Sequence, residues 1–571
     1  MDIEQGYPDL YNRYVATGNH RASDYFGLIR VLLEKKHDGD KDAETAISQV
    51  YELVRDEIIH NSEPPVQEIS FGTSGWRGVL GKDVCVNSVQ AVTRALIGLY
   101  ESLATFPERA DFLGVDSLDE ARRCGCLLGY DNRFGGEILA RAIAEVLVEH
   151  GFKVYWAGES ATGVLSAALL ELGAAFSVNL TPSHNPLEYG GYKYNAADGG
   201  PATGELTTVL TDLARQAVAG KEVVGKSVGA PVGEILDIDA LALWQRRVIA
   251  HKNTHGIDYQ ALISHLASRD DLTLVIDSVH GASRIHLRTL LAEAAVHLTH
   301  LRAEPDVSFG GIGPEPSSAN MSKVTATLRD SDKALKVGAI IDPDADRIRF
   351  TDGSQEISMN QFGAMAYYYL HQYKHKRGMV AKTVATSNLA NAVARGLDEQ
   401  VYETKVGFKE FKPVIGKALV CFEESDGISI IGHTPEKDAY IGLLLALDMV
   451  VHTGMNLGAL KEKIEQRFGA FYPVRDGVVV SKQGAELLES LALLEKYREG
   501  SMVRVGTEEK EIKEVIDIDG RKMIFADDSW IMIRASGTEP KVRFYVESRT
   551  EDGAQVLVDT ARMMMAEAGL L

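Results

Sequence analysis

Along most of its length the chain alternates short apolar runs with amphipathic helical patterns, and this alternation limits the fold more than any other feature. GCLLGYD, GFKVYWAG and FSVNL, starting at Gly125, Gly151 and Phe176, each read as a strand, and GGEILARAIAEVLVEHG between the first two reads as a crossover helix. Such βαβ units build α/β layers around a substantially parallel sheet. LTLVIDSVHGAS, KVGAIIDPDADR, GMVAKTVATSN and KALVCFEESDG repeat the theme, each an apolar strand running into a polar loop. Loops at the carboxyl ends of strands are where α/β proteins place ligands. At 571 residues the chain is too long for one core, and a norm of about 150 residues per domain gives three or four domains.

Both flanks depart from the pattern. Up to about Pro65 the sequence is helical, with Ile47, Val50, Tyr51, Val54 and Ile58 spaced at three and four to form one apolar stripe. Pro64-Pro65 ends that segment. From about Arg475 a helix around Ala485–Tyr497 precedes the strand-like SWIMIRAS and KVRFYVESR and a closing helix.

A formal net charge of -21, from 81 acidic and 60 basic residues, excludes nucleic acid and anionic lipid as default partners. It also requires any anionic substrate to be met by locally concentrated arginine and lysine. The four cysteines are too few and too scattered for a disulfide framework, so reduced thiols in a cytoplasm are expected. The first residues lack a basic segment followed by an apolar run, so no signal peptide is expected. The most apolar stretch, IGLLLALDMVV, is short and interrupted by Asp448; it is expected as a buried helix, not a membrane span.

Two motif matches are refused. GKEVVGKS, Gly220–Ser227, satisfies the phosphate-binding P-loop spacing, and GKSVG within it satisfies the hydrolase elbow. Both need a strand before and a helix after, whereas here a helical pattern precedes and two glycines and a proline follow. DPDADR lacks the glycine and glutamate that a calcium EF-hand needs at its sixth and twelfth positions.

Four loops carry complementary chemistry. In TPSHNPLEYGGYK, Ser183 sits between two prolines, either as a turn hydroxyl or as a nucleophile or phosphate carrier. Asp342, Asp344 and Asp346 follow the apolar VGAII as three hard oxygen ligands suited to Mg²⁺, or as a solvated acidic turn. Glu423, Glu424 and Ser425 can accept from vicinal sugar hydroxyls, or be exposed surface. RASGTEPKVR offers Arg534, Ser536, the Gly537 amide, Thr538 and Arg543 as anion donors, or a turn with surface arginines. Together they make a phosphate carrier, a cation site, a hydroxyl grip and a remote phosphate clamp, which suits phosphoryl transfer on a phosphorylated polyol.

FGTSGWRG, TPSHNP, DPDADR, EES with a downstream KD, and RASGTEP, in that order over about residues 67–571, resemble the motifs of the α-D-phosphohexomutases, the phosphoglucomutases and phosphomannomutases. The resemblance implies an α/β molecule of four domains: three similar mixed α/β/α domains and a smaller C-terminal α+β domain resembling TATA-binding protein. The expected divisions are a helical extension over 1–65, then 66–240 with the phosphoserine loop, 241–355 with the metal loop, 356–474 with the sugar loop and 475–571 with the phosphate loop. By the matched motifs, Ser183 would carry phosphate, and Asp342, Asp344 and Asp346 would hold Mg²⁺ with an oxygen of phospho-Ser183. Arg77 and Arg347 would lie near the phosphoserine. Lys193 would move a proton, acting as a base if nearby cations lower its pKa, with Lys437 as a second candidate or a phosphate contact. His184 would orient the loop, and Glu423, Ser425 and Gly407, in the turn VGFK, would contact the sugar. Arg534, Ser536, Gly537, Thr538 and Arg543 would clamp the phosphate that is not reacting.

The reaction implied is interconversion of glucose 1-phosphate and glucose 6-phosphate, with glucose 1,6-bisphosphate as intermediate and activator. Gly427 stands where mannose-tolerant relatives often have histidine, and EES with DPDADR also favours glucose. Mannose, pentose and glucosamine phosphates, a bisphosphate synthase or phosphatase, and a non-catalytic sugar-phosphate binder remain the alternatives. The partner is expected to be a small sugar phosphate, and the protein a monomer or homodimer.

Overall fold

A computed structural model describes residues 2–72, 75–225, 232–536 and 541–571. Four sheets follow one another along the chain. In the first, Cys126–Tyr130 lies parallel to both Lys153–Glu159 and Phe176–Leu180, with Gly136–Glu149 as the crossover helix between the first two. Leu127, Leu128, Val154, Phe176 and Val178 are all buried. Residues on both faces of these strands are covered, as expected for strands with helices on either side. The antiparallel strands Tyr189–Ala196 and Trp76–Val79 complete one edge.

The second sheet places Leu272–Asp277 parallel to Leu298–Leu301 and Leu335–Ile341, with Ile348–Thr351 returning antiparallel. The third places Val380–Thr383 parallel to Val401–Thr404 and Val420–Glu423, and Gly427–Ile430 pairs antiparallel with the last. In each of the three sheets a strand runs into a polar loop, and the loops meet: Ser183 donates to Asp342, and Arg347 bridges to Gly427. The fourth sheet is antiparallel throughout its six strands, with the helix Glu551–Glu567 packed on it. Three mixed sheets followed by one antiparallel sheet agree with the four-domain layout expected from the motifs.

One apolar core runs through the first three sheets, from Leu127 through Ile276 and Ile341 to Phe422. Its centre is the helix Ala439–Thr453, the apolar run IGLLLALDMVV, in which Ile441, Leu445 and Leu447 are fully buried. No single helix among the described residues is long and apolar enough to cross a membrane. Helix Ala240–Ala250 packs on Thr162–Leu172 of the first sheet's layer and carries the fully buried Trp244 into the common core.

The helices Ile3–Gly6, Pro8–Tyr14, Tyr25–His37 and Ala43–His60 share a core with the first sheet, the stripe Val50, Val54 and Ile58 being fully buried. Gly220 follows the helix Gly204–Val218 rather than a strand, which removes the P-loop context; Lys226 and Ser227 lie outside the described residues.

Candidate active site

Ser183 stands just beyond strand Phe176–Leu180 with φ at 58°, a left-handed conformation that costs a non-glycine residue about 1–3 kcal/mol unless its surroundings impose it. Its amide donates to Thr181 Oγ1 at 2.9 Å, and Thr181 Oγ1 donates to Asp131 Oδ2 at 2.6 Å. From behind, the buried Arg133 donates to the carbonyls of Ser183 and Pro186 at 2.7 Å and also to that of Asn185. Burial raises the Asp131 carboxyl to about 6, although Arg133 and Thr181 favour its charge. The loop is thus fixed through its backbone, which leaves the serine hydroxyl free for chemistry. That hydroxyl donates to Asp342 Oδ2 at 3.0 Å and lies 3.4 Å from His184 Nδ1. Burial, reinforced by Arg347 and Arg77, holds His184 well below its ordinary pKa, so the ring is neutral.

The strand Leu335–Ile341 ends before Asp342, so Asp342, Asp344 and Asp346 wrap a loop rather than line a strand face. All three are buried, and each offers a carboxylate oxygen within 4.8 Å of the others. Asp344 Oδ1 and Asp346 Oδ1 are buried with no hydrogen-bond partner, a deficit that a divalent cation removes. The donor set fits Mg²⁺, and the solvated-turn alternative fails on burial.

Cations surround the carboxylates. Lys193 Nζ donates to Asp344 Oδ2 at 2.5 Å and to Asp346 Oδ2 at 3.0 Å; Lys437 Nζ lies 3.2 Å from Asp346 Oδ2 and 3.5 Å from Glu423 Oε1. Arg347 Nε lies 3.5 Å from Asp346 Oδ1, and Arg77 donates to Asn185 Oδ1 at 2.8 Å. Burial and the charges of Asp344 and Asp346 raise Asp342 well above the usual carboxylate range. Burial pushes Asp346 the same way, but Lys193, Lys437 and Arg347 prevail and hold it well below. The condition set for Lys193 as a base is not met here. Burial disfavours its charge, yet its nearest charged neighbours are Asp344 and Asp346, and they raise its pKa above the ordinary lysine value.

The sugar loop joins the same cluster. Arg347 forms an isolated antiparallel bridge with Gly427, and Ser425 Oγ donates to Glu423 Oε1 at 2.7 Å. Glu423 and Glu424 are both about 5% exposed, so the pair is not free surface.

Arg534 and Arg543 lie on adjacent strands, Trp530–Ala535 and Lys541–Ser548. Arg534 Nη2 pairs with Asp519 Oδ2 at 3.1 Å, and the same oxygen accepts from Val406 N at 3.0 Å, directly before Gly407. Gly407, at φ 126°, adopts a backbone few other residues tolerate. Tyr545, raised to about 12 by burial and by Glu424, is eased back by Arg534, Arg543 and Arg475, so this group borders the sugar loop. Ser536 donates its amide to Lys541 O at 2.8 Å; Gly537 and Thr538 lie outside the described residues.

Asp131, Arg133 and Asp519 are the polar groups that motif reading missed. The signal for the first two was present: YDNRFGG is a polar loop at the carboxyl end of a strand, like the loops that were singled out.

Comparison with known proteins agrees with this geometry. Models of the phosphoglucomutase/phosphomannomutase family match in four parts: α/β/α domain I over residues 68–219, domain II over 255–355, domain III over 358–468 and the C-terminal domain over 482–562. A chain named a probable phosphoglucosamine mutase from Methanosphaera stadtmanae is 27% identical over 486 residues, 84% of this chain and 95% of that one. A phosphoglucomutase from Komagataeibacter xylinus is 26% identical over 84% of this chain and 88% of its own. A crystal structure from Thermus thermophilus, provisionally named a phosphomannomutase, superposes with a TM-score of 0.69 at 25% identity, covering 88% of this chain and 99% of that one. Three sugars stand in three names, but the fold, the motif order and the domain matches agree on one conclusion: this chain belongs to the α-D-phosphohexomutase family of phosphosugar mutases.

Proposed function

We propose that the protein interconverts glucose 1-phosphate and glucose 6-phosphate, with Ser183 as the carrier of the transferred phosphoryl group. The observation that supports this most is the placement of one buried serine hydroxyl 3.0 Å from a buried aspartate triad ringed by Lys193, Lys437, Arg347 and Arg77.

The phosphoryl group on Ser183 passes to the free hydroxyl of the sugar phosphate; the P–O bond to Ser183 breaks as the bond to the sugar oxygen forms. Return of the other phosphoryl group of the resulting bisphosphate regenerates phospho-Ser183 and completes the exchange. Asp342, Asp344 and Asp346 would hold Mg²⁺, which supplies charge neutralisation for the phosphoryl oxygens. Arg77 and Arg347 share that neutralisation. Lys193, kept protonated by Asp344 and Asp346, is the candidate to move the proton: it gives one to Ser183 Oγ as that oxygen departs and takes up the one that the sugar hydroxyl releases. Glu423 and Ser425 accept from sugar hydroxyls, Gly407 contacts the ring, and His184 orients the serine loop. Lys437 is a second candidate for proton transfer or a contact to substrate phosphate, and Arg534, Ser536, Gly537, Thr538 and Arg543 bind the phosphate that is not reacting.

Gly427, where mannose-tolerant relatives often have histidine, lies tight against Lys437. A side chain at Gly427 would place its Cβ 2.3 Å from Lys437 Cδ, so a histidine there would displace Lys437. Relatives named for glucosamine or mannose make those sugars the competing readings. The four cysteines are unpaired, which suits a cytoplasmic location, and monomer and homodimer are both compatible with the site.

A coupled assay with Mg²⁺, a trace of glucose 1,6-bisphosphate and glucose, mannose, ribose or glucosamine 1-phosphate tests the reading. Fast turnover of glucose 1-phosphate above the others is expected. Turnover of another sugar alone would keep the carrier chemistry and move the substrate. Silence on all four, with Ser183 carrying phosphate, would overturn the mutase assignment for these sugars.

A further inference from the structure

The first 60 residues lie outside all four family matches, which begin at residue 68, yet they are packed against the machinery of Ser183. Three sets of contacts connect them. First, Arg30 on helix Tyr25–His37 forms an ion pair with Glu188, which lies in the Ser183 loop; the other Glu188 oxygen is buried without a hydrogen-bond partner. The Glu188 carbonyl also accepts from Leu80 N at 2.8 Å, so this residue anchors the end of the loop.

Second, helix Ala43–His60 supports the loop that carries Arg133. Tyr51 packs against Phe134 with ring centroids 4.6 Å apart and the rings tilted by 37°, and Ile58 Cδ1 would stand 2.8 Å from a Cβ placed on Gly135. Arg133 is the residue whose guanidinium holds the carbonyls of Ser183, Asn185 and Pro186. Burial works against the Arg133 charge, and Glu188 is among the carboxylates that favour it, so the two supports act on one electrostatic group.

Third, the extension reaches the domain that bears the aspartates. Helix Tyr25–His37 contacts Phe309–Gly311, and the Phe309 ring lies under the Arg133 guanidinium at 4.9 Å. Lys82 fastens the extension to the first sheet by donating to His20 O at 2.9 Å and to Glu57 Oε1 at 3.2 Å.

A packing cap would need only the apolar stripe. It would not need an arginine on the serine loop, nor an aromatic against Phe134, next to the Arg133 whose guanidinium holds that loop's carbonyls. We propose that residues 2–60 are a positioning brace for the phosphoseryl loop, holding the backbone from the left-handed Ser183 to Glu188 in its transfer-ready form through Arg30 and through the Arg133 loop. This rests on the reading of Ser183 as phosphate carrier. The brace touches neither the triad nor the sugar-binding residues, so its loss slows phosphoryl transfer and leaves sugar-phosphate affinity in place.

The experiment uses the full chain, with Arg30→Ala, Arg30→Lys, Tyr51→Leu and the exchange Arg30→Glu with Glu188→Arg. Each is labelled with radioactive phosphate on Ser183, and single-turnover transfer to glucose 1-phosphate is timed beside KM and thermal melting. Arg30→Ala is expected to slow transfer about fivefold, the scale of one partly exposed ion pair. KM should stay at the parental value, Arg30→Lys should recover most of the rate and the charge exchange part of it. Tyr51→Leu should slow transfer independently through Arg133. Parental transfer rates in both Arg30→Ala and Tyr51→Leu, whatever their melting temperatures, would overturn the brace. A parental enzyme that takes no label on Ser183 would instead remove the carrier reading, and the brace's stated effect with it.

Discussion

Arg534 and Arg543 stand directly opposite each other in the antiparallel pair formed by Trp530–Ala535 and Lys541–Ser548. Asp519 lies 3.1 Å from Arg534. Two guanidinium side chains at facing positions of adjacent strands can share an incoming dianion. Arg543→Ala is therefore expected to raise the KM for sugar phosphate by roughly 10- to 100-fold, the loss of one charge-assisted contact. Mg²⁺ affinity should not change. Titration of the variant with glucose 1-phosphate and, separately, with Mg²⁺ checks both halves; unchanged sugar-phosphate affinity removes Arg543 from the clamp.

Ser183→Ala keeps the loop's backbone contacts, because Thr181 and Arg133 engage the amide and carbonyl rather than the hydroxyl. Turnover should fall by roughly 10⁴-fold or more, the scale seen when a covalent nucleophile is removed. Binding of glucose 6-phosphate, read by calorimetry, should persist. Turnover near the parental rate would end the phosphoserine mechanism.

Much of this site could be read from the sequence, because its chemistry sits in short segments after apolar strands. Ser183 and the aspartates occupy loops of that kind, and Glu423 is the last residue of strand Val420–Glu423, where such a loop begins. Strand Tyr189–Ala196 has no counterpart in the strand readings from sequence, and it carries the glycine pair Gly190 and Gly191. They are in the strand because its neighbours leave no room: a Cβ on Gly191 would lie 2.3 Å from Thr181 O, and one on Gly190 would lie 2.6 Å from Leu80 Cδ2. Local pattern carries no signal for such a tertiary constraint. The Lys193 environment was hidden for a similar reason. Its partners Asp344 and Asp346 lie some 150 positions away, and only folding brings them to its ammonium.

Asp344 divides its two oxygens: Oδ2 accepts from Thr162 Oγ1 at 2.7 Å and from Lys193, while Oδ1 is buried without a partner. Asp344→Asn is expected to weaken Mg²⁺ binding at least about tenfold, because one charged ligand is lost from a hard-oxygen set. Direct calorimetric titration of the chelator-treated protein reads this without relying on activity, which the loosened Lys193 would also disturb. Equal Mg²⁺ affinity in parent and variant would argue against the triad as the metal site.

The buried contact between the third and fourth sheets offers a test by pH. Lys522 is fully buried, with Nζ 4.2 Å from the centre of the Trp530 ring and 3.4 Å from Glu403 Oε1; Lys382 lies 2.8 Å from Glu403 Oε2. Burial first, and the charge of Lys382 second, lower the Lys522 pKa to about 8. Between pH 8 and the ordinary lysine value the unfolded chain binds the proton that the folded chain has released, so raising pH through this window stabilises the fold. The largest effect from this group is about 3 kcal/mol, at 1.36 kcal/mol per pKa unit. Lys522→Met removes the titration while Lys382 keeps Glu403 paired. At pH 7 the variant should melt as high as the parent or higher, since an apolar side chain of similar length replaces a costly buried charge. Its advantage should shrink on going to pH 10. A difference in melting temperature that stays constant from pH 7 to pH 10 would show that Lys522 does not titrate in that window.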